Sequence, residues 1–253
     1  MILLKSREEV EQMRAANAIV AEILVALRER VAPGVSTAEL DALAEEMTIK
    51  RGARPAFKGY TVGGRVFPAS VCISINDEVV HGIPSSRRVL QAGDIVGLDF
   101  GVCYRGYFGD SAMTVPVGRV SPDAERLMEV TRAALDAGIE AARAGAHVAD
   151  ISAAVQDTAE KAGYSLVREF VGHGIGRSLH EDPQVPNYRT GARGVRLQEG
   201  LVLAIEPMVN AGRPDVFVKD DGWTAATRDG RLSAHFEHSV AVTANGPYIL
   251  SVP

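Results

Sequence analysis

The sequence predicts an α/β chain folded as one domain of two similar halves, roughly residues 1–118 and 119–253. Three observations predict it. Apolar residues recur at helical spacing directly after a capping-box pattern. Runs rich in β-branched and aromatic residues follow, bounded by turn residues. The helical pattern then returns 111 residues further on. No linker rich in Pro, Gly or Ser and no low-complexity tract divides the chain. Its 253 residues are enough to bury a sizeable core.

In order along the chain, Val10, Met13, Asn17, Val20, Ile23, Leu24 and Leu27 define a helix over 6–30, opened by Ser6 with Glu9. Pro33-Gly34 breaks it, Ser36-Thr37-Ala38-Glu39 starts a second helix, and Gly52 ends that one. Residues 60–66 read as a loop between Gly59 and Pro68, and 70–75 alternate as a strand. The stretch 95–110 reads as two strands joined by a tight turn near Tyr104-Arg105-Gly106. With Tyr104 and Arg105 as the loop, Cys103 pairs with Gly106, Val102 with Tyr107, and Asp99 with Asp110; Gly106 as a bulge is the alternative. Residues 122–143 repeat the first long helix. Gly145, Ala149, Asp150, Ile151, Ala153, Lys161 and Gly163 then match Gly34, Ala38, Glu39, Leu40, Ala42, Lys50 and Gly52. Further strands are expected near 166–172, 201–209 and 235–242.

Composition narrows the function classes. The chain is 46% hydrophobic and 23% charged with a formal net charge of −5, which offers no attraction for nucleic acid or an anionic membrane. Met1-Ile2-Leu3-Leu4 is too short for a signal segment, and no later apolar run could span a bilayer, so a cytoplasmic location is expected. Cys72 and Cys103 cannot form a disulfide framework and suit a reducing compartment.

Carboxylates in apolar strands carry the chemical signal. Asp99 and Asp110, placed opposite each other about 5 Å apart, would need a shared proton or a shared cation. Glu206 stands alone in Leu201-Val202-Leu203-Ala204-Ile205-Glu206-Pro207-Met208-Val209 and demands a partner. Strand alternation puts His235, Glu237 and Ser239 on one face and His238 on the other. Any one of these acids could sit in a buried ion pair, but no matching set of in-strand Lys or Arg is visible. His173, among the glycines of Val171-Gly172-His173-Gly174-Ile175-Gly176, is open to a metal or a substrate; those glycines do not open a nucleotide-binding unit. Four carboxylates with one imidazole suit two divalent ions and hydrolytic chemistry rather than a closed, cysteine-rich zinc site. His81 and His180 lie in turn-like contexts, either overhanging a cleft or resting on the surface.

In this order, five segments resemble the type I methionine aminopeptidase family over essentially the whole chain. They are Asn76-Asp77-Glu78-Val79-Val80-His81-Gly82-Ile83-Pro84, Asp99 with Asp110, Gly172-His173-Gly174-Ile175-Gly176, Ile205-Glu206-Pro207 and Phe236-Glu237-His238. The resemblance implies a pita-bread fold, a curved antiparallel sheet backed by helices with two pseudo-symmetric halves. It implies Asp99, Asp110, His173, Glu206 and Glu237 as ligands of two divalent ions (Co, Mn, Fe or Zn), with Asp110 and Glu237 bridging. Glu206 would also handle the proton of the attacking water, His180 would contact the scissile carbonyl, and His81 the substrate amide. Cys72, Trp223, Tyr60 and Phe67 would form the methionine pocket. The implied partners are nascent polypeptide N-termini, at the ribosome, met by a monomer. The chain departs from the family in a longer segment around Gly63-Gly64, in Leu179 where an aromatic is common, and in His235 where glutamine is common. X-Pro dipeptidases and aminopeptidases share the fold but usually carry a separate N-terminal domain. An inactive pita-bread binding protein should have lost ligands, and none of the five is lost.

Overall fold

Both capping boxes form where the spacing puts them. In the computed structural model, which describes residues 2–252, Ser6 Oγ accepts the Glu9 amide at 3.2 Å and Glu9 Oε2 accepts the Ser6 amide at 3.0 Å, opening α1 (Arg7–Arg30). Ser36 and Glu39 do the same for α2 (Thr37–Lys50). In the second half, α3 (Pro122–Ala141) is capped by Ser121 and α4 (Val148–Lys161) follows. The two helical hairpins are pinned alike. Gly34 and Gly145 have φ of +91° and +94°, and their amides donate to Leu90 and Leu197 carbonyls at 2.8 and 2.9 Å.

The helices back a nine-stranded sheet in which every pairing is antiparallel. Its spatial order is Arg54–Pro55, Ile95–Tyr104, Tyr107–Pro116, Glu237–Thr243, Val202–Ile205, Gly172–Gly174 and Glu181–Val185; Cys72–Ile75 joins the second of these and Gly246–Ile249 the fourth. Each half has its own core. Ile19, Val20, Ile23, Leu24 and Leu27 of α1 and Leu40 of α2 pack on Val96, Leu98, Phe100 and Val102. Leu127, Leu135, Ile151 and Val155 of α3 and α4 pack on Leu203, Ile205, Val240 and Val242. No helix of the described residues is long and apolar enough to cross a membrane.

The central hairpin corrects the expected register. Its loop is Arg105-Gly106, both with positive φ (+50° and +82°), as a two-residue turn that follows strand twist requires. Tyr104 therefore faces Tyr107, Asp99 faces Ala112, and Asp110 faces Gly101. The partner changes by two residues, so Asp99 and Asp110 keep one face but stand diagonally. Residues 60–66 are also not a plain loop: Thr61–Val62 and Arg65–Val66 pair as a small ribbon around Gly63-Gly64. The strand expected near 166–172 is two short pieces, Ser165–Leu166 and Gly172–Gly174, in different sheets. Breaks at Glu206-Pro207 and at Phe236 likewise divide two longer expected strands, sending Met208–Asn210 and Ser233–His235 into a separate three-stranded sheet.

Candidate metal centre

Five adjacent strands each bring one polar side chain to a common cavity of about 510 Å³. Asp99 projects from Ile95–Tyr104 on the face opposite to Leu98 and Phe100, which are buried in the helix-backed core. Asp110 comes from the next strand, Glu237 from the start of the third, Glu206 from just beyond the end of Val202–Ile205, and His173 from the middle of Gly172–Gly174. The backbone there is held by side chains. Asn17 Oδ1 of α1 accepts the Asp110 amide at 3.2 Å, Ser239 Oγ donates to the Asp110 carbonyl at 2.8 Å, and Ser111 Oγ donates to the Glu237 carbonyl at 2.6 Å.

These carboxylates have no cation of their own, since neither Lys nor Arg lines the cavity. Burial, reinforced by the neighbouring acids, holds Asp99, Glu206 and Glu237 well above the ordinary carboxylate range, and burial pushes Asp110 up to about 7. Asp110 Oδ1 and Glu237 Oε1 are buried without a hydrogen-bond partner. One ligand atom each from Asp110, His173 and Glu237 lie within 4.8 Å of one another. The His173 Nδ1–H donates to the Gly174 carbonyl at 2.9 Å, which leaves Nε2 as a lone pair 3.5 Å from Glu206 Oε1. Burial and nearby His180 hold its pKa down to about 3, so the ring is neutral, as a metal ligand must be. Hard oxygens and one imidazole in a site that penalises its own charges fit a divalent cation.

Four further histidines lie in or beside the cavity's strands and loops, each in a different setting. His81 sits in the left-handed region at φ +60°, where the chain turns back so tightly that a Cβ on Gly82 would lie 2.1 Å from the Ile73 carbonyl oxygen. Its ring meets Phe170 edge-on at 5.3 Å, and burial, then His180, lower its pKa to about 4. His180 stands at the exposed mouth, its ring 4.3 Å from that of His173 and its Nδ1 2.7 Å from the Tyr60 hydroxyl; burial of its inner side lowers its pKa. His235 is buried with Nε2 unpartnered, 3.5 Å from Glu206 Oε2. His238 faces the other way and bonds Ser251 Oγ at 2.8 Å.

An apolar wall completes the cavity. Phe67 and Trp223 meet edge-on at 5.3 Å and pack with Cys72, whose thiol burial keeps neutral. The cavity thus brings together all the residues singled out from the sequence: Tyr60, Phe67, Cys72, His81, Asp99, Asp110, His173, His180, Glu206, Trp223 and Glu237. Sequence reasoning did not assign Phe57, Val62, Phe170 and Gln184 to it. It also treated Asn17 as a member of an apolar stripe, although a polar side chain there was itself a signal that something needed its amide.

The profile of metallopeptidase family M24 matches residues 11–244. The chain is 50% identical over 252 residues to the methionine aminopeptidase of Clostridium perfringens, covering 100% of this chain and 99% of that protein. It is 49% identical to that of Aquifex aeolicus, covering 99% and 98%. A crystal structure of methionine aminopeptidase from Thermotoga maritima superposes with a TM-score of 0.96 at 44% identity over the full length of both chains. The prolidase of Pyrococcus furiosus shares the fold, with a TM-score of 0.79 at 24% identity; 99% of this chain covers 65% of that one.

Proposed function

The chain belongs to metallopeptidase family M24, and we propose from this premise that it is a metalloaminopeptidase removing N-terminal methionine from nascent proteins and peptides whose second residue is small. The observation that carries the proposal is the meeting, in one cavity, of five cation-free donors with an apolar wall of Phe67, Cys72 and Trp223. In this reading Asp99, Asp110, His173, Glu206 and Glu237 would hold two divalent ions, Asp110 and Glu237 serving both, and manganese, iron, cobalt and zinc would all suit the donors. When bound, such ions supply Lewis-acid polarisation of the scissile carbonyl and acidify an attacking water.

The protein's own groups do the rest. Glu206 accepts the proton of the attacking water on a carboxylate oxygen. His180 donates a hydrogen bond to the carbonyl oxygen as charge develops there. His81, fixed by its backbone and by the edge-on rings of Phe170 and Trp223, contacts the substrate amide. The methionine side chain lies against Cys72, Phe67, Tyr60 and Trp223, where a slim unbranched thioether makes favourable sulfur contacts. The same proposal treats residues 1–253 as a single catalytic domain.

A substrate panel of Met-Ala-Ser, Leu-Ala-Ser and Ala-Pro tests it. Met-Ala-Ser should be cleaved, and Leu-Ala-Ser, branched at Cγ, should be cleaved poorly. Comparable kcat/KM for the first two would overturn the pocket assignment, and a preference for Ala-Pro would move the chain to the X-Pro enzymes.

A further inference from the structure

The hydroxyl of Tyr60 lies 2.7 Å from Nδ1 of His180, with the two ring centroids 5.3 Å apart. Among the described residues neither group has another side-chain or backbone partner. The tyrosine is firmly held. Its amide donates to the Phe57 carbonyl at 2.8 Å, its carbonyl accepts the Phe67 amide at 2.8 Å, and the Gly59 amide donates to the Phe67 carbonyl at 2.9 Å. The ribbon that follows is tied down by Arg65 Nη1, which donates to the Gly222 carbonyl at 3.2 Å. A phenol on such a base is positioned to act on the histidine ring, as well as to bound the cavity.

We propose that Tyr60 is a positioning residue: its phenol donates to Nδ1 of His180, which confines the ring proton to Nε2 and leaves that nitrogen as the donor available to substrate. The inference rests on the reading above that His180 donates to the scissile carbonyl. A neutral imidazole carries one N–H. The bond to Tyr60 has two polarities, and the phenol is the better acid while the imidazole lone pair is the better base. Burial raises the Tyr60 pKa, so the phenol stays protonated.

The coupling also strengthens during the reaction. As the carbonyl oxygen gains negative charge, the Nε2–H is drawn toward it, the ring becomes richer in electrons, and Nδ1 becomes a better acceptor for the phenol. A contribution that grows toward the transition state appears in kcat rather than KM. This distinguishes a Tyr60 that acts through His180 from one that only bounds the pocket, whose loss would raise KM.

The test compares Tyr60→Phe with His180→Ala in the zinc-loaded protein, with ¹⁵N spectra of histidine-labelled wild type assigned by the signal lost in His180→Ala. Tyr60→Phe should lower kcat about 10-fold with KM within about twofold and bound zinc unchanged. The spectrum should show His180 Nδ1 as the unprotonated nitrogen in wild type, with its resonance moved in Tyr60→Phe. A proton-bearing Nδ1 in wild type, or a Tyr60→Phe enzyme with normal kcat or with only KM raised, overturns the inference. If His180→Ala keeps its kcat, the reading of His180 fails first, and that result is separate.

Discussion

Stripping divalent ions and raising the pH should destabilise the protein together, and the sign follows from the buried groups. In the metal-free fold, burial and mutual repulsion hold Asp99, Glu206 and Glu237 well above the ordinary range, and burial holds Asp110 at about 7. These carboxyls therefore keep protons that the unfolded chain has already released. Five histidines oppose them: burial holds His81 and His238 at about 4 and His173 and His235 at about 3, and it lowers His180 as well. Below about pH 6.5 the unfolded histidines take up protons that the folded ones refuse, so their contribution rises with pH and masks the carboxyls. Above about pH 7.5, a unit past the ordinary histidine value, the histidines are neutral in both states. The native state then binds more protons than the unfolded one, and stability must fall as pH rises through the raised carboxyl values.

Each retained proton gives a slope of about 1.4 kcal/mol per pH unit. Above about pH 7.5 that slope applies to each carboxyl still protonated in the fold. For a chain of this length one such slope is about 3–6 °C in Tm per pH unit. The assay is thermal unfolding of protein freed of metal and chelator, at half-unit pH steps over a window from about pH 7.5 to 9, beside a metal-loaded sample whose carboxylates stay ionised. A metal-free Tm that stays level or climbs over the window, with no gap from the loaded sample, would refute the account of the cluster.

His180→Ala should lower kcat by about 10²-fold while bound metal is unchanged, since it loses a donor to the developing charge. Glu206→Ala should lose activity and metal together, and elemental analysis after dialysis separates the two variants; the reverse pattern would mean that the ligand and substrate groups had been exchanged. Gly109→Ala should destabilise by about 1–3 kcal/mol in denaturant titration, because the added Cβ would lie 2.8 Å from the Asn17 amide nitrogen and 2.9 Å from the Ala16 carbonyl carbon. Asn17→Ala leaves the buried Asp110 amide without its acceptor, a loss of about 1–3 kcal/mol, and should also weaken metal binding measured by calorimetry.

What could be read from the sequence was local pattern and unpaired charge. Ser6 with Glu9, Ser36 with Glu39 and the helical spacing of residues 10–27 fix the first two helices because capping and periodicity act over one or two turns. Asp99, Asp110, Glu206 and Glu237 were visible because a carboxylate among Val, Ile and Leu has no cheap explanation. The register of the central hairpin was not legible, because Tyr104-Arg105-Gly106 lacks an Asn-Gly or Asp-Gly marker and only positive φ at Arg105 selects the loop. Nor was the ribbon at Thr61–Val62 and Arg65–Val66, each strand being two residues long. Phe170 reaches the cavity through irregular chain and Gln184 through a short edge strand, Glu181–Val185, paired with His173, and composition holds no signal for either.

One consequence of drawing a donor from each of five adjacent strands concerns the order of events when the chain first folds. The proposed donors lie at 99, 110, 173, 206 and 237, so no two are closer than eleven residues and the unfolded chain contains no ready-made chelate. Closing such loops costs entropy that only the assembled sheet can offset. An ion therefore gains almost all its affinity from the finished architecture, and its stabilisation is undiminished by competing attachment to unfolded chains. With the ligand set proposed above, the sheet would close first around protonated acids and the ion would exchange for those protons afterwards.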